Sequence, residues 1–133
     1  LATIKLAIED SQFAYNKDNN DVGLIISAES PGHTELFENF LNYFYDQINS
    51  NNIKVAKKKF FLDAFSRFKR QCYDLQTFMD VFHVARFFNF HGHTSHINNA
   101  CASGLYALQA AANLISTEQS SAVVVCAVDS IGV

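Results

Sequence analysis

Two continuous apolar runs of strand length constrain the fold of this chain more than any other feature. They are residues 22–27 (VGLIIS) and 122–128 (AVVVCAV). A strand with one face in water alternates between apolar and polar residues, and neither run shows this alternation. The pattern therefore predicts strands that are buried on both faces, as in a parallel sheet covered by helices.

Helical spacing of apolar residues fills much of the remaining sequence. The predicted helices cover residues 2–15, 34–47, 75–90 and 102–115, and a short strand is predicted at 95–98. Polar loops are predicted at 16–21, 48–52 and 117–121. The order strand, helix, helix, short strand, helix, strand favours a layered α/β fold.

The composition fits a packed domain in a reducing compartment. With 133 residues, 49% of them apolar and 17% charged, the chain is one domain or less and is not disordered by composition. Its net charge of −3 argues against electrostatic binding of nucleic acid. No apolar run reaches the roughly 18 residues that a membrane span needs, and no stretch has the layout of a signal peptide. Three widely spaced cysteines argue against a disulfide scaffold and predict a cytoplasmic protein.

Cys101 stands where a loop enters the helix predicted at 102–115, which is rich in small residues. Free backbone N–H groups and the positive end of the helix dipole favour a thiolate at such a position, and the thiolate is the nucleophile. The same N–H groups can receive the oxyanion that forms when a thioester carbonyl is attacked. The residues alone leave open that Cys101 is an inert, buried thiol, as many free cysteines are.

The segment 97–108, with the sequence INNACASGLYAL, resembles the active-site segment of the β-ketoacyl synthases, which are condensing enzymes of the thiolase superfamily. Residues 123–130 resemble the strand and Asp-containing turn that follow this helix in that family. The similarity is specific over residues 84–133 and weak before them. Degradative thiolases share the Cys-Ala-Ser-Gly core, but the ending VDS at 128–130 is similar to the synthase branch.

The resemblance implies a thiolase-like layered α/β/α/β/α fold. Residues 1–133 would be only part of its N-terminal half, with the nucleophile segment at 94–130. The first residue is Leu1 and the last residues directly follow a strand-like run, so we expect a piece of a longer protein.

The resemblance also implies a reaction. Cys101 would accept an acyl group from a carrier-protein or coenzyme A thioester, and the acyl-enzyme would condense with a malonyl thioester whose decarboxylation supplies the carbanion. Such steps belong to fatty acid or polyketide synthesis. The family's other catalytic groups, two His (or His and Asn) and a Lys, come from the second half of a longer chain. None of the five His here matches them, so this piece is expected to be inactive alone, and no cofactor or metal is implied.

Three alternatives stay open. A thiolase-type acyltransferase would use the same cysteine. A non-catalytic partner subunit of a ketosynthase would keep the fold, although such subunits typically lack the cysteine. His91, His93 and His96 could bind zinc, but their spacing does not identify a particular family of metal sites, and a polar loop is the favoured interpretation.

Partners are implied as well. The family is dimeric, with the strand before the nucleophile at the subunit contact, which corresponds to residues 94–99 here. Acyl carrier proteins are acidic, so a basic stretch could steer them to the enzyme, although most charge runs are solvated faces. The candidate docking residues lie in the stretch 54–70 and are Lys54, Lys57, Lys58, Lys59, Arg67, Lys69 and Arg70.

Three departures from the family pattern put the geometry of turns in doubt. Cys126-Ala127 stands where the family usually has Gly-Gly. Glu118-Gln119 stands in the turn after the helix, where a Gly is usual, and His93 follows Gly92, where a Pro is frequent. None of these changes affects the predicted nucleophile.

The helix predicted at 34–47 carries a stripe of aromatic residues. Packing in the core is their predicted role. An acyl-chain tunnel or a dimer contact is the alternative, because long apolar substrates need aromatic or aliphatic walls. The residues are Phe37, Phe40, Tyr43, Phe44 and Tyr45.

Overall fold

The computed structural model of the chain describes residues 1–28, 33–49 and 57–128, with His33, Lys57 and Lys58 described by their backbone only. These residues form two compact units, one made of 1–28 and 77–128 and the other of 33–49 and 57–76. The elements in chain order are α1 (Ala2–Asp10), β1 (Gly23–Ala28), α2 (His33–Asn49), α3 (Lys57–Asp74), α4 (Thr77–Phe88), β2 (Thr94–Ile97), α5 (Ser103–Ser116) and β3 (Val123–Val128). None of these helices combines the length and apolarity that crossing a bilayer requires.

The first unit is built on a parallel sheet with the strand order β2-β1-β3. The central strand β1 is buried along its whole length, as its continuous apolar run predicts. On one face Leu24 and Ile26 pack with Ile4 of α1 and Phe88 of α4. On the other face Ile25 packs against α5. Burial on both faces is therefore confirmed for β1, which has helices on each side.

The strand β3 is less buried than its sequence predicts. Its first four residues are half-buried, and Ala127 and Val128 are exposed. Within the described residues β3 lies at an edge of the sheet and pairs only with β1. An edge strand has a neighbour on one side alone, so fewer atoms cover it than cover the central strand.

The small residues of α5 bring this helix close to the sheet. Ala107 is completely buried and Ala111 nearly so, and both contact the face of β1 that carries Ile25. The opposite side of the helix exposes Leu105 and Leu108. The prediction of a centrally buried helix is thus confirmed for one side of α5 in the described part of the chain.

The second unit packs α2 against α3 around Tyr43, Ala64 and Phe68. The phenol of Tyr43 donates a hydrogen bond of 2.5 Å to the carboxylate of Asp63, and the guanidinium of Arg67 lies 5.2 Å from the Tyr43 ring centroid. Helix α3 is not among the helices that the sequence predicts, because its many charges obscure the spacing of four residues between Phe60, Ala64 and Phe68. That spacing is the signal that identifies the helix.

The aromatic stripe on α2 is only partly a core element. Tyr43 is buried, as predicted. The rings of Phe40 and Phe44 contact Phe68 and Phe60 of α3, so the predicted packing is confirmed in part for these two residues. Phe37 and Tyr45 are more than half exposed, since α3 covers only one side of α2. The exposed members of the stripe are Phe37, Phe40, Phe44 and Tyr45.

Element boundaries differ from the prediction by a few residues. Helix α1 ends at Asp10 rather than near residue 15, because the chain turns at Gln12, whose φ is 54°. Helix α4 ends at Phe88, where Asn89 takes a φ of 60°. Asparagine tolerates this left-handed backbone better than most residues. The loop predicted at 48–52 begins inside α2, and its remainder lies outside the described residues.

Candidate active site

Cys101 lies in the loop between β2 and α5, directly before Ala102, the N-cap of the helix. Its side chain is exposed. The carbonyl of Ala102 accepts hydrogen bonds from the N–H groups of Leu105 and Tyr106, at 3.1 and 3.2 Å, which closes the first turn of α5. The structure thus places the cysteine at the N-terminal end of the helix, where the sequence predicts it.

A pocket of about 250 Å³ opens beside the Cys101 side chain. Its walls come from the carboxyl ends of two neighbouring parallel strands and from the start of α5. In open α/β sheets, ligands bind in the crevice at the carboxyl ends of the strands. The lining residues are Ser27 and Ala28 of β1, Ala127 and Val128 of β3, and Ala100, Cys101, Ser103 and Gly104.

The backbone just before Cys101 is strained. Ala100 has a φ of 49°, in the left-handed region that residues with a Cβ rarely adopt. Its N–H donates to Oδ1 of Asn98 at 3.3 Å, and its carbonyl accepts the N–H of Ser103 at 3.0 Å. Strained residues of this kind cluster at active sites, where the surrounding structure holds them in place.

The hydroxyl of Ser103 bridges this strained turn. It accepts a hydrogen bond from the N–H of Asn99 at 2.6 Å and donates one to the carbonyl of Ala100 at 2.7 Å. Ser103 is buried at the first residue of α5. No role is predicted for Ser103 from the sequence, although a serine at a helix start that can bond to nearby backbone is a recognisable signal.

Cys126-Ala127 fits the site without crowding. A Cβ placed on Gly104 would lie 3.4 Å from the Cβ of Ala127, which is an ordinary contact, so the methyl group of Ala127 leaves space beside α5. Cys126 lies on the other face of the sheet, packed against the core between the sheet and α4. Burial raises the pKa of its thiol, which makes it a poor nucleophile.

The turn after α5 has a residue with a positive φ, as turns with glycine at this position do, but the residue is Glu118. Glu118 has a φ of 56°, and its N–H donates to the carbonyl of Ile115 at 3.1 Å. The N–H of Gln119 donates to the carbonyl of Leu114 at 2.9 Å. This pair of bonds is the Schellman motif, in which the left-handed residue is usually Gly.

The approach to β2 depends on Gly92. A Cβ at this position would lie 2.2 Å from the carbonyl oxygen of Asp21. The Gly92 N–H donates to the carbonyl of Val22 at 3.0 Å, and the carbonyl of His93 accepts the N–H of Leu24 at 2.8 Å. These backbone bonds align the start of β2 with β1, so this turn forms with His93 in the place of the usual proline.

The zinc alternative for His91, His93 and His96 gains no support from the described part of the chain. Among the described residues, no group of three or more His, Cys, Asp or Glu is arranged to hold a metal ion. His96 lies on β2, and its buried Nε2 has no hydrogen-bond partner among the residues that the structure describes. Burial raises the pKa of Asp80 on α4, and the nearby His96 and His83 oppose that shift.

The basic stretch lies mostly on α3, in the second unit. Lys59 and Lys69 are exposed, Arg67 stacks on Tyr43, and Arg70 pairs with Asp74 at 3.8 Å. An exposed pair of this kind contributes little to stability. Lys54 lies outside the described residues, and the side chains of Lys57 and Lys58 are not described.

The comparison with known families agrees with the site geometry. The family model for the N-terminal domain of the β-ketoacyl synthases matches residues 1–132. Neither a curated protein nor a solved structure matches the chain. The family match covers the whole region before residue 84, where the resemblance of the sequence was weak. The chain therefore belongs to the β-ketoacyl synthase family through its N-terminal domain, and the thiolase-like fold class is confirmed.

Proposed function

We propose that the protein is a β-ketoacyl synthase in which Cys101 is the nucleophile that accepts the acyl group. Membership of the family supports a condensing, acyltransferase-type enzyme in general. The observation that carries the finer assignment is the position of Cys101. Its exposed thiol borders the pocket at the carboxyl ends of β1 and β3, next to the first turn of α5.

The proposed reaction has two steps. In the first, Cys101 gives up its proton and the thiolate attacks the carbonyl carbon of an acyl thioester. A new S–C bond forms, the C–S bond to the carrier breaks, and the carrier leaves as a thiolate that takes up the proton. In the second, a malonyl thioester loses CO₂, and the resulting carbanion attacks the acyl-cysteine carbonyl. The Cys101 thiolate is released, and the β-ketoacyl thioester remains on the carrier.

The start of α5 supplies the electrostatic part of this proposal. Negative charge develops on the carbonyl oxygen when the thiolate attacks. The backbone N–H of Cys101 would be one donor to that oxyanion, and the positive end of the α5 dipole favours the same charge. The groups that handle protons in the family, two His (or His and Asn) and a Lys, are proposed to come from outside residues 1–133. This segment alone would then not complete the condensation.

Acyl carrier protein and a second copy of the chain are the proposed partners. The exposed Lys59 and Lys69 on α3 can steer an acidic carrier. Within the described residues β2 is at an edge of the sheet, next to β1, and this edge corresponds to the family's subunit contact. The product would enter fatty acid or polyketide synthesis, and three free cysteines favour the reducing cytoplasm as its location.

The decisive experiment is detection of an acyl-cysteine. The full protein is incubated with acetyl, hexanoyl and decanoyl thioesters of coenzyme A and of acyl carrier protein, digested and mapped by mass spectrometry. The proposal predicts an acyl adduct on Cys101 that is absent in Cys101→Ala and retained in the matched control Cys72→Ser. Absence of the adduct in the unmodified protein would overturn the proposal and favour a non-catalytic partner subunit.

A second measurement separates the synthase from a thiolase. Addition of malonyl thioester to the acylated protein should release CO₂ and discharge the cysteine. A thiolase would instead condense two acetyl thioesters without releasing CO₂. Discharge of acetyl-Cys101 by acetyl-coenzyme A alone would contradict the synthase assignment.

A further inference from the structure

We propose that Ser103 is the positioning residue of Cys101, because its hydroxyl holds the strained turn at Ala100 that precedes the cysteine. The inference rests on the proposed role of Cys101 as the nucleophile. It deepens that role by naming the group that fixes where the sulfur points.

The hydroxyl of Ser103 bonds to the backbone before and after the strained φ of Ala100. It accepts a hydrogen bond from the N–H of Asn99, the preceding residue, and donates one to the carbonyl of Ala100 itself. The two bonds measure 2.6 and 2.7 Å. A single side chain therefore ties the peptide group before Asn99 to the peptide group after Ala100, and the φ of Ala100, which is 49°, lies between these two anchored groups.

Three further bonds define the turn but do not replace this clamp. The N–H of Ala102 donates to the carbonyl of Asn99 at 3.2 Å, which closes the turn around Ala100 but does not bond to the N–H of Asn99. The N–H of Ala100 donates to the side chain of Asn98 at 3.3 Å, which is a long hydrogen bond. The N–H of Ser103 donates to the carbonyl of Ala100 at 3.0 Å, and this bond forms in an ordinary turn as well. Without the hydroxyl, the N–H of Asn99 loses its partner in the turn, and Ala100 can relax to a negative φ.

Relaxation at Ala100 moves the next residue directly. A rotation of the backbone at residue 100 swings the Cα–Cβ bond of Cys101, which borders the pocket between β1, β3 and α5. Nucleophilic attack needs the reacting atoms within about 3.5 Å and aligned, and a misplacement of about 1 Å can lower a rate by about 100-fold. Ser103 itself is buried, so its contribution is to orient the nucleophile.

The test compares acylation rates in the full protein with hexanoyl-coenzyme A as the probe. Ser103→Ala is expected to lower the rate constant for acylation of Cys101 at saturating thioester by about 10- to 100-fold. The thioester concentration that gives half the maximal rate should change by no more than about twofold, since no contact with the substrate is removed. The matched control is Ser116→Ala, which removes an exposed hydroxyl at the other end of the same helix and should leave the rate unchanged.

A second variant tests the route through Ala100. Ala100→Gly removes the cost of a positive φ, so adding it to Ser103→Ala should recover part of the lost rate. Alkylation of the half-buried Cys126 by iodoacetamide reports whether any variant has opened the sheet. A slow Ser103→Ala variant in which Cys126 is alkylated no faster than in the parent protein supports positioning.

Three results would overturn the inference. They are an unchanged acylation rate in Ser103→Ala, a loss of rate that coincides with rapid alkylation of Cys126, and no recovery in the double variant. Failure of the proposed function looks different, because the unmodified protein would then form no acyl-cysteine at all.

Discussion

Ser121 binds the carboxylate of Asp21 with two hydrogen bonds across 100 positions of sequence. Its backbone N–H donates to Oδ2 at 2.8 Å, and its hydroxyl donates to Oδ1. Asp21 precedes β1 and Ser121 precedes β3, so this contact ties together the starts of two paired strands. The strands are then in register from Gly23, opposite Val123, to Ala28, opposite Val128.

This contact predicts a dependence of stability on pH. The hydroxyl and then the backbone N–H of Ser121 lower the pKa of Asp21 below its ordinary value of 3.8. A lowered pKa in the folded state means that the contribution to stability is present above the unfolded pKa and is lost as the pH falls through the folded pKa. In urea unfolding followed from neutral pH into the acid range, Asp21→Asn should flatten that acid loss. Asp18→Asn, in the same loop, should follow the parent protein, and a parallel loss in all three proteins would refute the role of the contact.

Glu118→Gly should stabilise the protein. The φ of 56° strains a residue with a Cβ, and glycine adopts it freely. Relief of the strain, less the greater entropy of glycine in the unfolded chain, should raise the free energy of unfolding by about 0.5–1 kcal/mol. Gln119→Gly is the control in the same turn and should be neutral or destabilising in thermal and denaturant unfolding. A lower stability of Glu118→Gly would show that the carboxylate has a role in this turn.

The same substitution at two glycines should have opposite effects. At Gly92 an added methyl group meets the backbone of Asp21, so Gly92→Ala should lower the free energy of unfolding by about 3 kcal/mol. At Gly104 the added methyl group makes an ordinary contact of 3.4 Å with Ala127, inside a helix. Gly104→Ala should therefore raise the free energy of unfolding by up to about 1 kcal/mol. Equal effects in denaturant titrations would count against the close approach of backbones at Gly92.

Tyr43→Phe should weaken the second unit. It removes the hydrogen bond from the phenol to the carboxylate of Asp63 and leaves the ring in place. The expected loss is about 1 kcal/mol in the stability of the α2–α3 pair. Tyr45→Phe, on the exposed side of α2, is the matched control. Thermal unfolding followed by far-ultraviolet circular dichroism would detect the difference, and equal transitions for the two variants would refute it.

Alkylation with iodoacetamide should distinguish the three cysteines. Cys126 is expected to react slowest, because burial raises the pKa of its thiol and leaves less thiolate at neutral pH. Cys101 should react severalfold faster than the exposed Cys72, because it adjoins the first turn of a helix. Peptide mapping after limited labelling measures all three rates in one sample. Equal labelling of Cys101 and Cys72 would contradict an activated thiol.

Local patterns were enough to predict the sheet-forming strands and the placement of Cys101. The apolar run around Leu24 and Ile26 can bury all of its side chains only in a sheet that is covered on both faces. The central strand is therefore predictable from this run alone. The small residues from Ala102 onward predicted a helix that approaches the sheet closely, and Ala107 against Ile25 shows it. Helix α3 is missing from the prediction because charged residues dominate its sequence, although the spacing of Phe60, Ala64 and Phe68 is that of a helix.

Strand register and the positive φ values depend on interactions that form only in the folded chain. The sequence around Asp21 does not reveal that its carboxylate meets Ser121, since that contact exists only once β1 and β3 pair. Ala100 and Glu118 have no intrinsic preference for a positive φ either, and hydrogen bonds with nearby residues at the two ends of α5 hold them there. Hydrophobic spacing is a property that each segment carries with it, whereas strand register arises when separate segments satisfy one another's polar groups. Backbone strain persists only where the folded structure around it holds it in place.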